Sequence, residues 1–451
     1  MPRAWTVTDL HFGDSGKGTI TEALVRKHGV DLVARFSGGC QCAHHVVQDD
    51  GVVHCFAQYG SGTLAGASTL LTQDVLIDPL RMMKEREVLK AKGCSPVAYV
   101  HEDALVVTPF HAALNRLKER ARGEARHGSC GVGIGETAAH ALAYPHEALR
   151  IRDLISPEIA RLRLTTLRDR LAAAAREAWE DIGNPFRADA RADASLFEAD
   201  EGVVDWLANQ YEGYVRHLVR PVTTDQQTSM IASQDTVWEG AQGVLLDEDY
   251  GLHPYTTWSR VTLRNAARLL EAAGVTDVIN TGVLRAYGHR HGAGPFPTEE
   301  PLLRSHLVEG HNGTNAWQGA FRVGWFDALL ARYALSVAGG TEASIHMGRG
   351  PRIDQLAITH LDTVADLTPW RGVTGYGLDL SNIPAPDDWS KRERLTACLG
   401  GVRSEDWELE ELDDSGDIPD WIAGQLGVPV TIRSYGPTYA DKVFASTPCP
   451  A

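Results

Sequence analysis

The chain has 451 residues, of which 43% are hydrophobic and 23% charged, and its formal net charge is −16. This length suits one large α/β domain with insertions, or two closely joined domains. The acidic charge and the lack of a dense Lys/Arg run argue against nucleic acid as a partner. We expect no membrane span and no signal peptide, and the seven cysteines do not form a secreted disulfide pattern. A cytoplasmic protein with reduced thiols is therefore expected.

The first predicted elements are a strand at 5–10, a glycine-rich loop and a helix at 20–28, which is a typical start of an α/β nucleotide-binding unit. Apolar runs predict further strands at 31–36, 96–100, 104–108, 236–239, 277–280, 354–359 and 428–432. Helical patterns alternate with them at 79–92, 261–273 and 326–337. The alternation predicts one large domain over residues 1–451, with a mostly parallel central sheet flanked by helices.

Two excursions from this domain are expected, at about 157–230 and 366–426. Residues 157–182 are rich in Ala, Arg and Leu and predict an exposed amphipathic helix. The second excursion is rich in Trp, Asp, Pro and Gly, and we expect it to pack on the main sheet rather than form a separate domain.

The loop Gly13–Thr19 has the sequence Gly-Asp-Ser-Gly-Lys-Gly-Thr. Its glycines let backbone N–H groups approach an anion, and the start of the following helix adds a favourable dipole. Lys17 can neutralise a terminal phosphate, and Asp14 can bind a metal or accept a proton. Since the spacing differs from that of the standard P-loop, a glycine turn that only caps a helix is the competing interpretation.

The second loop, Gly38–His45, permits two kinds of chemistry. A zinc cluster could use the cysteines and histidines of this region, Cys40, Cys42, His44, His45, His54 and Cys55, although Cys-x-Cys-x-His-His is not a familiar zinc spacing. Alternatively, one histidine acts as an acid or electrostatic group beside a phosphate.

Four later segments combine turn residues with polar side chains. Trp238–Asp247 ends a strand in a small-residue turn, and its Gln242 could bind an amide-like base edge or merely close the turn. Gly292–Glu299 is a Gly/Pro-rich loop. Asp362 follows a strand and could accept hydrogen bonds from a guanine, and Ser434–Pro437 could flank the same base.

Taken in order, these segments resemble the adenylosuccinate synthetase family, which carries GDEGKGK, GGHNAGHT, EGAQG, GAGPFPTE, a GW-hydrophobic-Asp segment, TKLD and STGP. Here the corresponding stretches are GDSGKGT, GGCQCAHH, EGAQG, GAGPFPTE, GWFD at Gly324–Asp327, THLD and SYGP. The seven collinear matches span nearly the whole chain. The resemblance implies the P-loop-NTPase-like fold of that family and a homodimer.

The family transfers the γ-phosphate of GTP to the 6-oxygen of a purine nucleotide of the IMP type, with Mg²⁺, and an amine, normally L-aspartate, then displaces the phosphate. By resemblance, Asp14 is the base at purine N1, His44 the acid at the phosphoryl group, Lys17 the cation on the phosphates and Gln242 the contact to the 6-oxo edge. The other implied contacts are Gly13, Ser15, Gly16, Gly18, Thr19, Asp362, Ser434, Gly436 and Pro437 for the nucleotide, Gln41, Cys130, Thr257 and Arg322 for the substrate, and Asp14 and Ala43 for the metal.

The sequence departs from the family at its substrate contacts. Where the family has TTGR-x-RR-x-GW, residues 316–325 keep only Arg322, and Gly319 and Phe321 occupy the positions of the two carboxylate-binding arginines. Two lost charge-assisted contacts are worth about 1.5–3 kcal/mol each. The amine donor is therefore expected to be something other than plain aspartate.

The nucleotide contacts also differ. Cys130 stands for a phosphate-binding Thr, Ser15 and Thr19 replace an acid and a Lys, and Tyr144–Glu147 lacks the arginine that the family sends to its partner subunit. A ligase with altered substrates is the main hypothesis. The first alternative is an ordinary adenylosuccinate synthetase whose aspartate site uses other residues, with Arg322, Arg285, Arg290 and His291 as candidates. The second is a non-catalytic nucleotide-binding homologue, which would not need a base such as Asp14.

Overall fold

The structure is a computed structural model that describes residues 1–123, 126, 128–183, 187–198, 200–307, 310, 312–313, 317 and 319–445. Within these residues no helix is both long and apolar enough to cross a bilayer.

The strands are β1 (Arg3–Asp9), β2 (Leu32–Arg35), β3 (His44–Val47), β4 (Val53–Phe56), β5 (Ser68–Leu71), β6 (Ala98–His101), β7 (Arg220–Val222), β8 (Thr236–Glu239), β9 (Asp277–Arg285), β10 (Gly288–His291), β11 (Phe321–Gly324), β12 (Phe326–Asp327), β13 (Gln355–Thr359), β14 (Trp370–Gly375), β15 (Glu408–Leu412), β16 (Val430–Ser434) and β17 (Lys442–Phe444). The helices are α1 (Lys17–His28), α2 (Pro79–Ala91), α3 (Pro109–Ala121), α4 (Ile134–Ala143), α5 (Pro157–Asp181), α6 (Arg187–Ser195), α7 (Glu201–His217), α8 (Thr224–Ala232), α9 (Arg264–Ala272), α10 (Ala328–Val337), α11 (Glu342–Met347), α12 (Trp389–Gly401) and α13 (Ile418–Leu426).

A ten-stranded sheet forms the centre, in the order β17-β16-β13-β9-β1-β8-β2-β5-β6-β7. Its neighbouring strands are parallel except for the antiparallel pair β16–β17. The carboxyl ends of parallel strands share one edge, where α/β proteins bind their ligands. Asp9, Glu239, Thr359 and Ser434 end β1, β8, β13 and β16 at this edge. The mostly parallel sheet flanked by helices is confirmed.

Two predicted elements were wrong in detail. Residues 104–108 are not a strand, because Leu105 and Val106 form only isolated bridges to Arg150 and Ile77. Their apolar run reflects burial in the core rather than a place in a ladder. The predicted helix at 326–337 begins at Ala328, after the short strand β12.

The first excursion region folds into helices α5, α6 and α7 and continues through β7 into α8. Helix α5 buries one face, made by Ala160, Leu164, Leu167, Leu171, Ala175 and Ala178. This spacing of three and four residues confirms an amphipathic helix. The buried face packs in the core, so only the other faces of α5 are exposed. The expectation of an exposed helix was therefore incomplete.

The second excursion region contributes β14, β15, α12 and α13. Strand β14 pairs in parallel with β12 and antiparallel with β15, which gives a separate three-stranded sheet. Trp370 and Trp421 meet at 5.1 Å between ring centroids and join the same apolar core as Phe326. The second excursion region therefore packs against β12 and α10, which follow the β10–β11 hairpin in the chain.

Candidate active site

The loop Gly13–Thr19 follows β1 and begins α1. Gly13, Asp14 and Gly16 have left-handed φ values of 90°, 59° and 94°. Only glycine adopts such angles freely, so Asp14 is held in a strained conformation by its surroundings. The Arg285 Nε donates to the Asp14 carbonyl at 2.8 Å, and the His289 Nε2 contacts the Gly13 carbonyl. Side chains of β9 and β10 thus fix the loop shape.

Asp9 anchors the inside of this loop. Its carboxylate accepts from the His11 and Ser15 amides, both at 2.9 Å, and from the Lys17 Nζ at 3.1 Å. Asp9 and Lys17 are both buried. Lys17, predicted to contact phosphate, therefore has a carboxylate partner that the sequence analysis did not identify. A bound phosphate would be a second anion for the same ammonium group.

Asp14 retains partial solvent access, since 31% of its side chain is exposed. Its Oδ2 lies 3.8 Å from the His291 Nδ1. Burial raises the pKa of Asp14, but the nearby His291 and the positive charges of Lys17 and Arg285 outweigh this effect, so the pKa lies below its ordinary value. The carboxylate is therefore ionised at neutral pH and can accept a proton or bind a cation.

His44 begins β3 and contacts Glu239 at the end of β8, with 2.6 Å between His44 Nδ1 and Glu239 Oε1. Glu239 also accepts from the Ser61 hydroxyl, from the Ser61 amide at 3.0 Å, and faces the Arg35 Nε at 3.9 Å. These partners fix the carboxylate and, through it, the orientation of the imidazole. Glu239 belongs to the EGAQG segment, but its role was missed because only Gln242 was singled out there.

The charge state of the His44–Glu239 pair follows from its burial. Burial opposes ionisation of Glu239, yet His44 and Arg35 outweigh it and bring the pKa of Glu239 to about 2. Burial lowers the pKa of His44 more than Glu239 raises it. Because the site is enclosed, the His44 ring is neutral. The Nδ1–H of His44 then donates to the ionised Glu239, and the Nε2 of His44 faces away from Glu239. A phosphate group bound nearby would favour protonation of Nε2.

Gln242 has a left-handed φ of 48° in the turn after β8. A Cβ atom on Gly13 would lie 3.5 Å from its carbonyl carbon, so this turn touches the first loop. The Gln242 Nε2 lies 3.7 Å from the Cys42 Sγ. Among the described residues, neither the Gln242 Oε1 nor the Gln41 Oε1 has a hydrogen-bond partner, although both are buried. Buried amides in this condition need a ligand or water as partner.

The predicted base-binding segments reach the same loop. The Thr359 hydroxyl donates to the Ser15 carbonyl at 2.7 Å, and the Thr19 hydroxyl donates to the Pro437 carbonyl at 2.8 Å. A Cβ on Gly18 would lie 2.9 Å from the His44 Cβ. Asp362 is exposed just after β13. Segments from both ends of the chain therefore converge on Gly13–Thr19.

A buried lysine holds the turn after β16. The Lys442 Nζ donates to the Gly436 carbonyl at 2.7 Å and to the Thr438 carbonyl at 2.8 Å. Ser434 donates to the same Gly436 carbonyl at 3.1 Å. Burial lowers the pKa of Lys442 to about 8. Sequence reasoning did not identify Lys442, since it lies five residues beyond the SYGP motif.

Arg322 lies on the opposite face of the β10–β11 hairpin from Phe321. Its guanidinium pairs with Glu299 and donates to the carbonyls of Gly292 at 3.2 Å and Gly294 at 2.8 Å. A cavity of about 820 Å³ opens on this face, and Asp14, Lys17 and His44 do not line it. That cavity is therefore separate from the site formed around the first loop.

Phe321 takes the place of a family arginine and lies on the side of the first loop. Its ring is stacked with His289 at 5.8 Å between centroids, and the Arg285 guanidinium lies 5.1 Å from the ring centre. Gly319 has a φ of 94° and no atom within 4 Å of an added Cβ. Ala316 and Gln318 of the same predicted run lie outside the described residues.

Thr257, Cys130 and Ala43 complete the predicted set. The Thr257 amide donates to the Leu246 carbonyl at 2.8 Å, and burial raises the pKa of the Cys130 thiol. Ala43 is exposed next to His44.

The zinc alternative for the second loop was wrong within the described part of the chain, where no group of three or more His, Cys, Asp or Glu side chains could hold a metal. Cys40 packs in an apolar cluster with Leu76 and Ile134, while Cys55 is exposed on β4.

Comparison with known proteins identifies the relatives of this chain. A family model described as adenylosuccinate synthetase matches residues 6–443. The adenylosuccinate synthetase of Chlorobium limicola is 29% identical, with 98% of this chain and 97% of the relative covered. That of Anaeromyxobacter dehalogenans is 30% identical, with 99% of both chains covered.

Two solved structures share the fold. The fully ligated adenylosuccinate synthetase of Plasmodium falciparum has a TM-score of 0.75 at 18% identity, covering 98% of this chain and 99% of that one. The cyanophage S-2L succinoaminodeoxyadenylate synthetase, bound to dGMP and to dATP as an energy donor, has a TM-score of 0.59 at 18% identity, covering 100% of this chain and 96% of that one. At this identity they support the architecture alone.

A glycine-rich loop at the carboxyl edge of a parallel sheet, with a lysine, an ionised carboxylate and an oriented imidazole around it, defines a nucleotide-dependent phosphoryl-transfer class. Within that class, the match over residues 6–443 shows that the chain belongs to the adenylosuccinate synthetase family of GTP-dependent C–N bond-forming ligases.

Proposed function

We propose that this ligase transfers the γ-phosphate of GTP to the 6-oxygen of an IMP-like purine nucleotide and that an amine then displaces the phosphate from C6. The observation that best supports this reaction is the convergence on one loop: Gly18 lies against His44, Gly13 against Gln242, and Thr19 reaches Pro437. Phosphoryl transfer depends mostly on positioning and charge stabilisation, which these groups can supply.

Each step has a candidate residue. The ionised Asp14 accepts the N1 proton of the purine, which makes the 6-oxygen a better nucleophile. That oxygen attacks the γ-phosphorus and GDP leaves. Lys17 and His44 stabilise the charge on the transferring group, and the Gln242 amide binds the 6-oxo edge. The amine then forms its bond to C6 as phosphate leaves.

Magnesium fits the proposed ligands Asp14 and Ala43. The Asp14 carboxylate is partly exposed and ionised, and the main-chain oxygen of Ala43 is a second hard donor on an exposed residue. Mg²⁺ is usually held by one or two protein oxygens together with substrate phosphates and water. When bound, it would neutralise charge on the GTP phosphates.

We propose an amine donor other than plain aspartate. Phe321 presents a ring where the family has a carboxylate-binding arginine. The alternative cations have acceptors within the protein: Arg322 pairs with Glu299, Arg290 donates to the Ala293 and Pro295 carbonyls, and Arg285 donates to the Asp14 carbonyl. A donor with an apolar or uncharged side chain suits this wall better than one with two carboxylates.

The ordinary adenylosuccinate synthetase reaction is the second candidate, because curated relatives of that name match 98–99% of the chain. The two are separated by incubating purified protein with GTP, Mg²⁺ and inosine, IMP or GMP, with and without single amino acids and simple amines. Phosphate release and product mass are measured.

We expect phosphate release and a C–N product with an amine other than aspartate. Adenylosuccinate formed efficiently from IMP and aspartate would favour the ordinary reaction instead. GTP binding without phosphate release for any purine and amine would refute the ligase proposal. Asp14→Asn should lower turnover at least about 100-fold, as expected for loss of a general base.

We also propose a homodimer. The stretch from the end of α4 into α5 exposes several large apolar side chains, Leu142, Tyr144, Ile155, Ile159 and Leu162. Several large exposed apolar side chains in one stretch of chain often mark a protein interface.

A further inference from the structure

A single buried carboxylate closes the 248–260 loop, the irregular segment between β8 and α9 that carries Thr257. Asp247 precedes this loop and accepts from main-chain amides at both of its ends. Its Oδ1 accepts from two amides at the start of the loop, and its Oδ2 accepts from two amides just after it. The donors are the amides of Asp249 at 2.9 Å, Tyr250 at 3.0 Å, Val261 at 2.6 Å and Thr262 at 3.3 Å.

Asp247 is inaccessible to solvent, with 0% of the residue exposed. Burial raises the pKa of Asp247 to about 6, so the carboxyl group is mostly ionised at neutral pH. An ionised carboxylate can only accept hydrogen bonds, which matches the four N–H donors around it. Because all four donors belong to the main chain, this side chain fixes the backbone path of the loop.

The outer side of the 248–260 loop is held by elements from later in the chain. Arg392 of α12 is buried, and its guanidinium donates to the Glu248 carbonyl at 2.6 Å. The Tyr333 hydroxyl of α10 donates to the Tyr250 carbonyl at 2.7 Å. The second excursion region, which contains α12, therefore supports the first half of this loop from outside.

The inner side of the 248–260 loop contacts the site itself. The buried Ser259 hydroxyl accepts from the Gly38 amide at 2.9 Å, and Gly38 begins the second loop. A Cβ on Gly38 would lie 2.9 Å from the Gln242 Oε1. Ser259 thus meets the second loop beside the amide that we assign to the 6-oxo edge of the purine.

We propose that Asp247 is a positioning residue, which holds Thr257 and Ser259 in place for binding of the purine nucleotide. This inference rests on the proposed ligase function and assigns the residue that shapes its purine site. Without the carboxylate, the two ends of the 248–260 loop lose their common acceptor, so both side chains shift together. The first loop is fixed by other groups, Asp9 and Arg285, and its contacts with GTP do not depend on Asp247.

The test is calorimetric titration of the whole chain with IMP, in the presence of Mg²⁺ and a non-hydrolysable GTP analogue. Asp247→Asn keeps the side-chain size but turns one acceptor oxygen toward main-chain N–H groups into a donor. We expect the Kd for IMP to rise at least about 10-fold through the loss of buried hydrogen bonds. The Kd for the GTP analogue alone should change by less than about twofold, as expected for a separate site.

The matched control is Asp327→Asn, which makes the same change in another buried carboxylate, one that accepts from the Leu330 amide and caps α10. It should leave both Kd values unchanged. If Asp247→Asn does not fold, Ser259→Ala decides the question, because it removes the acceptor of the Gly38 amide and leaves the four bonds of Asp247 intact. It should weaken IMP binding by about threefold or more, with the GTP analogue unaffected.

An unchanged Kd for IMP in the folded variant would overturn the inference. Equal weakening of IMP and the GTP analogue would overturn it too, since that result indicates general loosening, and so would the failure of the unsubstituted protein to bind IMP. The ligase proposal is judged separately, from phosphate release. IMP binding that depends on Asp247, without phosphate release for any amine, would refute the ligase and leave the positioning role standing. Phosphate release together with unchanged IMP affinity in Asp247→Asn would do the reverse.

Discussion

Glu239 links the sheet edge to the imidazole of His44, which we propose to stabilise the phosphoryl group. Replacing it in Glu239→Gln keeps the side-chain shape but removes the charge that orients His44 through Nδ1. Loss of such a supporting carboxylate lowers activity by about 10–100-fold where the histidine binds a metal, and we expect an effect of this order here. We expect kcat for GTP-dependent phosphate release to fall in this range, with little change in KM for GTP.

The matched control is Glu411→Gln on β15, which makes the same chemical change in a partly exposed pair with Arg371 of β14. It should retain full kcat. An unchanged kcat in Glu239→Gln would show that His44 needs no oriented tautomer for the reaction.

The Asp9–Lys17 pair makes the loop sensitive to charge. Asp9→Asn leaves the buried ammonium of Lys17 without its carboxylate, and breaking a buried pair in this way costs about 3–5 kcal/mol. We expect a loss of that order in the free energy of unfolding, measured in urea. Asp277→Asn breaks the pair with Arg3, in which both side chains are nearly half exposed, and should cost at most about 1 kcal/mol.

A triphosphate would offer Lys17 another anion, so GTP with Mg²⁺ should stabilise Asp9→Asn more than the unsubstituted protein. Equal costs for the two substitutions would contradict the structural role given to Asp9.

At the scale of the elements, Asp327 joins β12 to α10 and caps the helix. Its carboxylate accepts from the Leu330 amide at 2.8 Å. Burial nevertheless raises the pKa of Asp327 to about 7, from an ordinary 3.8. A raised carboxyl pKa adds stability that is fully present below about pH 3.8 and is lost as pH rises through about 7.

Asp327→Asn should therefore flatten the fall in unfolding free energy between pH 4 and pH 8, because an amide keeps a cap acceptor and does not ionise. Asp327→Ala, which also removes the acceptor, should in addition lose about 1 kcal/mol at both ends of that range. Urea unfolding at several pH values measures both effects. A slope unchanged in Asp327→Asn would assign the pH dependence to other groups, such as Asp247, whose pKa burial raises to about 6.

The elements themselves were largely predictable, because strand, glycine loop and helix are local patterns. What the sequence could not provide was register. Arg322 looked like a surviving substrate contact, but the pairing of Arg290 with Arg322 turns both side chains to the face opposite Phe321. Likewise, His44 and Glu239 lie 195 positions apart, and only the sheet order brings them to 2.6 Å. The sequence motifs therefore identified the loops, but not the carboxylates of Asp9 and Glu239 that contact Lys17 and His44.

At the scale of the whole molecule, the exposed apolar stretch between α4 and α5 bears on assembly. Leu142 and Leu162 are 70% and 67% exposed, and Tyr144, Ile155 and Ile159 lie between them in the chain. Large apolar side chains at this density are unfavourable in water, and a second copy would cover them. We expect a mass of about two chains by light scattering after gel filtration at micromolar concentration.

Leu162→Arg should shift that mass toward a single chain, because a guanidinium buried in an apolar interface has no partner. Leu302→Arg changes a side chain that is 78% exposed on a different segment and should leave the dimer intact. If dimerisation also completes the site, the Leu162→Arg protein should lose phosphate release in proportion to its monomer fraction, and raising the protein concentration should restore it. A wild-type chain that remains monomeric, or a Leu162→Arg variant that remains dimeric, would place the interface elsewhere or remove it.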